Sequence, residues 1–294
     1  MQLHQLEYFL AVVDAGGFTR GAERLHVVQS AVSAGIRALE SELGCTLFER
    51  SHHAIALTAE GEALLPHARD ALSAVAGARD AVASARGVIV GTVTVGIMAY
   101  VGNLVVASLL ENFHARYPGV VVRLRQTAAG SRTNLEDVRS GILDLALVSS
   151  ARAAGSGLAF DQVFSEPIVF VCWPAHPLAS VSAVAVADIA GETFVDFPEG
   201  WGIRAAIDRL FDAGGVARVS NTEVTNFELA LALVRRRLGV TILPASGAPT
   251  DGSVVVVPLV DAPQWAVYLA RPAGRRTSTA STMLADAILA ARVQ

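Results

Sequence analysis

FTRGAERLHVVQSAVSAGIRALESELGCTLFERSHHAIALTAEG, residues 18–61, is the stretch from which the rest of the chain is read. Within it Val32, Ile36, Leu39 and Leu43 recur at spacings of four, three and four, so one stripe of a helix faces a core. Beside that stripe Gln29, Ser33 and Arg37 stand four apart and share an outward ridge. An amide, a hydroxyl and a guanidinium in a row are the groups that hydrogen-bond base edges and phosphates in a major groove. The expected unit is two short helices, a recognition helix and a wing. Leu3, Leu6, Leu10 and Val13 predict a helix over 3–15 that closes its core, with Gly16-Gly17 ending it. Thr19 can cap the next helix, and Ala22 is small where two helices approach.

FTRGAERLHV, QSAVSAGIRALESELG, TLFER and LTAEG, in that order and spacing, resemble the N-terminal domain of LysR-type transcriptional regulators. The resemblance implies a winged helix-turn-helix over 1–58, with Thr19, Arg20, Gln29, Ser30, Ser33, Arg37, Arg50 and His53 facing double-stranded DNA. The chain departs from the family at Val28, usually Ser or Thr, at Ala34, often near a basic residue, and in an Arg-poor wing, Ser51-His52-His53-Ala54. A structural helical hairpin that binds no nucleic acid is the competing reading.

Every one of the 23 basic residues is Arg. Residues 1–60 hold four Arg (20, 24, 37, 50) against seven acids (7, 14, 23, 40, 42, 49, 60), a formal −3. DNA affinity comes largely from neutralised phosphates. Either the four arginines share one face, or the domain binds weakly and depends on dimerisation. His52 and His53 have no third ligand nearby, so a mildly pH-sensitive DNA contact is expected rather than a metal.

At 294 residues, 52% of them hydrophobic, a small module plus a larger one is expected. Cys45 and Cys172 lie far apart, with no zinc spacing, which suits a reducing cytoplasm. MQLHQLEYFL lacks the basic start and apolar run of a secretory signal. The uncharged run at 87–110 is long enough for a membrane helix, but the alternation of Val93, Val95 and Ile97 favours a strand followed by a loop. With no Gly-x-Ser-x-Gly, P-loop or Rossmann fingerprint, no catalytic residue and no cofactor are expected.

Residues 58–86 have the spacing of one long helix. Ala68, Val75 and Val82 fall seven apart, with Leu64, Ala71 and Ala78 in the companion position, a seam for a second copy over a linker at 59–88. Packing on its own C-terminal domain is the alternative. Pro66 either kinks this helix or occupies its first turn.

From residue 89 strands alternate with helices, which predicts parallel βαβ units. Helices are expected at 101–117, 133–141, 203–213, 227–238 and 282–292. WPAHPLA, VRRRLGVTILPAS and the terminal strand plus helix resemble the effector domain of the same family. That resemblance implies a fold like type II periplasmic binding proteins: lobe I at 89–163 and 267–294, lobe II at 164–266, joined by crossing strands. It also implies a homodimer or homotetramer on an interrupted palindrome, contact with RNA polymerase and a small organic effector. A solute-binding protein of the same fold is the alternative, but it needs export and has no use for the Gln29 ridge.

Ligands in open α/β sheets bind beyond the carboxyl ends of strands, where helix N-termini offer unpaired N–H groups. Loop position and family analogy select Met98, Tyr100, Gln126, Thr127 and Ser149 in one lobe, and Asp196, Trp201, Gly202, Asn226 and Phe227 in the other. Such a lining suits a partly apolar molecule with a carboxylate or an aromatic ring. Trp201 can instead be an interlobe plug and Asn226 a helix cap, while Arg235-Arg236-Arg237 reads as a solvated face. The family's peroxide sensors need two cysteines in this domain; only Cys172 lies here, so a buried inert thiol is expected.

Overall fold

The computed structural model describes residues 1–50, 55–86, 88–127, 130–149, 157–274 and 277–291. Helix α1 (Leu3–Ala15) ends at Gly16, whose φ of 64° lets its N–H turn back to the Val13 carbonyl. Helix α2 (Phe18–Arg24) has Gly17 in the cap position, not Thr19, which lies exposed in the first turn. Helix α3 (Gln29–Leu43) is entered through Val28 with no side-chain cap. Leu6, Phe9, Val12, Ala22, Val32, Ile36 and Leu39 form the core; of the stripe expected on α1 only Leu6 is buried, Leu10 and Val13 are half-buried against that core, and Phe9 and Val12 take the central places. Leu3 at 45% and Leu43 at 43% exposed lie beyond the core, which ends one turn short of each helix end. Strands β1 (Phe48–Arg50) and β2 (Ile55–Leu57) pair antiparallel as the wing.

Thr58 caps helix α4 (Ala59–Ala85): its hydroxyl accepts from the Gly61 N–H at 3.0 Å, and Glu60 and Glu62 sit at the positive end of the helix. Pro66 lies inside the helix rather than in its first turn. The expected dimer seam divides here. Ala68 is 1% exposed, and Leu64 and Ala71 pack against the same core as α1, so these three serve their own chain. Arg69 ties the junction to α1 through Asp14 at 2.7 Å. Val75 is half-buried, Ala78 is exposed and Val82 is 60% exposed. The heptad pattern is real, but its first half is consumed by the N-terminal domain. A spacing rule reports that a helix has an apolar face, not which surface covers it.

The remainder is two lobes. Strands β3 (Val90–Ile97), β4 (Gly119–Gln126) and β5 (Leu145–Val148) alternate with helices α5 (Val106–Arg116) and α6 (Ser131–Arg139), and β3 pairs in parallel with both β4 and β5. The uncharged run at 87–110 thus contains a strand, a loop and the start of a helix, and no described helix is long and apolar enough to cross a membrane. Strand β6 (Leu158–Cys172) follows, then β7 (Thr193–Asp196), α7 (Gly202–Gly214), β8 (Val219–Glu223) and α8 (Phe227–Arg235). Strands β9 (Thr241–Pro244), β10 (Val255–Pro258) and β11 (Gln264–Pro272) and helix α9 (Thr279–Ala290) complete the chain. Helix α8 stops before Leu238, because Arg237 turns to a φ of 59°. Helix α9 packs on α5 and β3.

Two strands carry the chain between lobes. Strand β6 pairs antiparallel with β11 from Leu158 to Pro167 and then, without a break, with β9 and β10 from Ile168 to Cys172. The expected lobe boundary at 163/164 therefore falls inside one continuous strand, and the change of partner comes at Pro167. Proline supplies no N–H to a ladder and so suits the residue where one set of pairings ends.

Candidate DNA interface and effector cleft

Helix α3 presents two different faces. Val32, Ile36 and Leu39 are fully buried, while Gln29, Ser30 and Arg37 are exposed and Ser33 is half-buried. Gln29 donates from Nε2 to Ser33 Oγ at 2.9 Å, so the ridge is ordered along one helical turn. Arg37 makes no ion pair among the described residues, which leaves its guanidinium available. Arg20 differs: its Nη2 donates to the Gly16 carbonyl at 2.7 Å and covers the C-terminus of α1. The side chain of Arg50 and all of His53 lie outside the described residues. Acids that weigh against DNA binding are partly neutralised inside the domain, Asp14 by Arg24 and Arg69 and Glu42 by the chain's own N-terminus.

The second site lies between the lobes, where Met98, Tyr100, Thr127, Ser149, Trp201, Gly202 and Phe227 line one cavity of about 360 Å³ including its open mouth. About 30 Å³ of it admits the centres of water molecules, room for one or two waters, so the lobes stand nearly closed. Close approach depends on two glycines. A Cβ on Gly202 would lie 1.8 Å from Ser149 Oγ, and one on Gly130, whose φ is 78°, would lie 2.7 Å from the Gly200 carbonyl.

Three selected residues fall outside this lining. Gln126 ends the edge strand β4 and is exposed. Asn226 caps α8, its side chain accepting from the Leu229 N–H at 3.1 Å. Asp196 is 2% exposed and engaged by Arg218 at 2.7 Å, with Arg204 at 3.8 Å. Burial disfavours the Arg204 charge, but its hydrogen bond to Asp208 and the nearby carboxylates prevail and hold its pKa above the ordinary guanidinium value. Asp196 is a strand-end carboxylate as expected; what it meets is an arginine pair from α7 and the start of β8.

Gly130, Ser131, Ile203 and Trp265 line the cavity although the sequence reading did not select them. Ser131 begins α6 two residues before the expected start, and its hydroxyl accepts from the Ser149 N–H at 3.0 Å. Trp265 comes from the crossing strand β11. Tyr100 links the walls: its ring centroid is 4.8 Å from Phe227 and 5.8 Å from Trp265, and its hydroxyl lies 2.6 Å from Ser246 Oγ. Ser246 in turn donates from its backbone N and Oγ to Glu166, each at 2.6 Å. Burial raises the Tyr100 pKa, the Ser246 hydrogen bond opposes this and the Glu166 charge adds to it. A phenol kept neutral can bridge lobes across a low-dielectric gap.

An exposed recognition ridge on a winged helix-turn-helix, joined by a long helix to a hinged pair of α/β lobes with a cleft, defines a DNA-binding protein that carries its own small-molecule receptor. Residues 3–62 match the family described as bacterial regulatory helix-turn-helix protein, lysR family, and residues 86–292 match the LysR substrate binding domain. The chain belongs to the LysR family: it is a DNA-binding transcriptional regulator with an effector-binding domain. It is 30% identical to the RuBisCO operon transcriptional regulator of Allochromatium vinosum, over 98% of this chain and 96% of that one. A cysteine-to-aspartate variant of full-length OxyR from Pseudomonas aeruginosa superposes with a TM-score of 0.79 at 24% identity, covering 98% of this chain and 94% of that one. Full-length CbnR in complex with its target DNA superposes with a TM-score of 0.56 at 24% identity over the whole of both chains.

Cys172 is fully buried in β6, and burial, with help from Glu192, pushes its thiol up to about 11. Cys45, the second cysteine, belongs to the N-terminal domain.

Proposed function

We propose that the chain acts as a homodimer, assembling further to a homotetramer, that lays two α3 helices into successive major grooves of an interrupted palindrome. What carries this reading is the division of α3 into a fully buried apolar face and an outward ridge of Gln29, Ser33 and Arg37. The second half of α4, with half-buried Val75 and exposed Ala78 and Val82, is the surface offered to the second copy. A small organic effector held between the lobes by residues such as Tyr100, Ser149 and Phe227 changes the lobe angle and hence the spacing of the reading heads. For that to shift binding, the ligand must prefer one lobe arrangement. RNA polymerase is the partner to which the bound assembly reports.

A gel shift of the full chain on the gene's own upstream region tests this. Arg37→Ala is expected to weaken binding by roughly tenfold, the loss of one charged groove contact, with the circular dichroism spectrum unchanged. Binding that is indifferent to Arg37→Ala, together with a monomer by light scattering, would sink the reading.

A further inference from the structure

The charge balance of the cleft, taken as the effector site on the reading above, narrows the class of molecule it accepts. None of the described residues lining it carries an ionised side chain. Its polarity comes instead from two helices that begin at the cleft from opposite lobes, α6 at Ser131 and α7 at Gly202. Both residues are buried, neither helix has a side-chain cap, and the N–H groups of Ser131, Gly202 and Ile203 have no acceptor among the described residues. The hydroxyls of Ser131 and Ser149 lie 3.4 Å apart, a long contact that either can exchange for a ligand oxygen. An independent observation points the same way. Trp265 is 3% exposed, lines the cavity, and its indole N–H has no hydrogen-bond partner among the described residues. A buried donor of this kind is expensive to leave unmade, and an acceptor brought into the cavity would satisfy it.

Each helix N-terminus acts as roughly half a positive charge, so the two together balance about one negative charge and not two. On the Tyr100 side the sign reverses, because Ser246 and Tyr100 lead to the Glu166 carboxylate. Between these ends stand the faces of Tyr100, Phe227 and Trp265. We propose that the cleft selects a singly charged carboxylate carried on one planar ring. The carboxylate lies between the first turns of α6 and α7, the ring lies among the three aromatics, and a ligand oxygen accepts the Trp265 N–H. Because the cavity has room for only one or two waters, the ring enters as the lobes part, and a flat body requires the least separation. Aromatic walls also suit a quaternary ammonium, but donor N–H groups repel a cation, so that class is an outcome of the test.

Calorimetric titration of the full chain with benzoate, 4-hydroxybenzoate, benzamide, phthalate, phenyl phosphate and benzyltrimethylammonium separates the cases. Benzoate or its hydroxy derivative should bind tightest, with benzamide about tenfold weaker for want of the charge and the two dianions weaker than benzoate. Ser131→Ala and Trp265→Phe should each weaken benzoate binding by about tenfold. Gly202→Ala, whose Cβ would take the place of Ser149 Oγ, should abolish it, and if that variant does not fold the other two decide. The ligand class is wrong if no benzoate heat appears at millimolar concentration. It is also wrong if benzamide, a dianion or the ammonium binds as tightly as benzoate while remaining sensitive to these substitutions, a result that leaves the cleft itself as the effector site. Binding of any probe that ignores all three substitutions lies elsewhere and overturns the cleft reading too.

Discussion

Replacing Asp196 by Ala should destabilise the chain by about 3–5 kcal/mol, the penalty for stranding a buried charge. Asp196 is 2% exposed, and Arg218, which meets it at 2.7 Å, keeps only 8% of its side chain in contact with solvent. The carboxylate also accepts from the Phe197 N–H at 2.9 Å, so the substitution leaves a buried donor unpaired as well. Arg218 retains Asp208 at 2.6 Å, but that carboxylate is 43% exposed and far better solvated. Since Arg218 leads into β8, whose only described partner strand is β7, the damage should concentrate in lobe II. Urea denaturation followed by tryptophan fluorescence reads it through Trp173 and Trp201 in the same lobe, and Arg218→Met in the Asp196→Ala background should recover a substantial part of the loss. A single-mutant cost under about 1 kcal/mol, or an unchanged denaturation midpoint with effector response lost, would refute the ion-pair role and return Asp196 to the ligand.

Val28→Ser should stabilise the N-terminal domain by about 1 kcal/mol, because the 69% exposed valine at the start of α3 gives way to a side chain that can accept from the first turn; differential scanning calorimetry would show it. Tyr100 has a raised pKa in the folded chain, so its contribution is fully present below its unfolded value of 10.0 and is lost as pH rises through the folded one. Tyr100→Phe should flatten that alkaline loss in a pH series of denaturation midpoints. Cys172, raised from 9.0 to about 11, follows the same sign and should resist thiol reagents in the native chain at pH 8, while half-buried Cys45 reacts first; equal labelling rates would contradict the burial.

Reading heads and receptor loops differ in how local their causes are. The α3 ridge is set by 3.6-residue periodicity within fifteen residues, so Gln29, Ser33 and Arg37 were legible at once. Seven of the ten residues selected for the cleft line it, because the carboxyl ends of parallel strands converge wherever the order of strands allows. Asp196 and Asn226 carry the same signal of strand end or helix start, and nothing local says that one meets Arg218 and the other its own helix. Trp265 and Ser131 reach the cavity through β6 and β11, paired across more than ninety positions of sequence, and through a helix that starts two residues early.

Sequence alone located the main helices, with shifted ends, and strands β3, β4, β5, β9 and β11 but not β7, β8 or β10, as well as the buried α3 face and the apolar stripe of the linker helix, since each follows from spacing and side-chain chemistry along one element. Only the tertiary structure decided that the first half of that stripe serves its own N-terminal domain and that a phenol, a serine and Glu166 join the lobes. It also decided that two helix N-termini face one cavity whose wall holds an indole with no hydrogen-bond partner among the described residues. Those are relations between surfaces, and a surface has no partner until the chain has folded it against one.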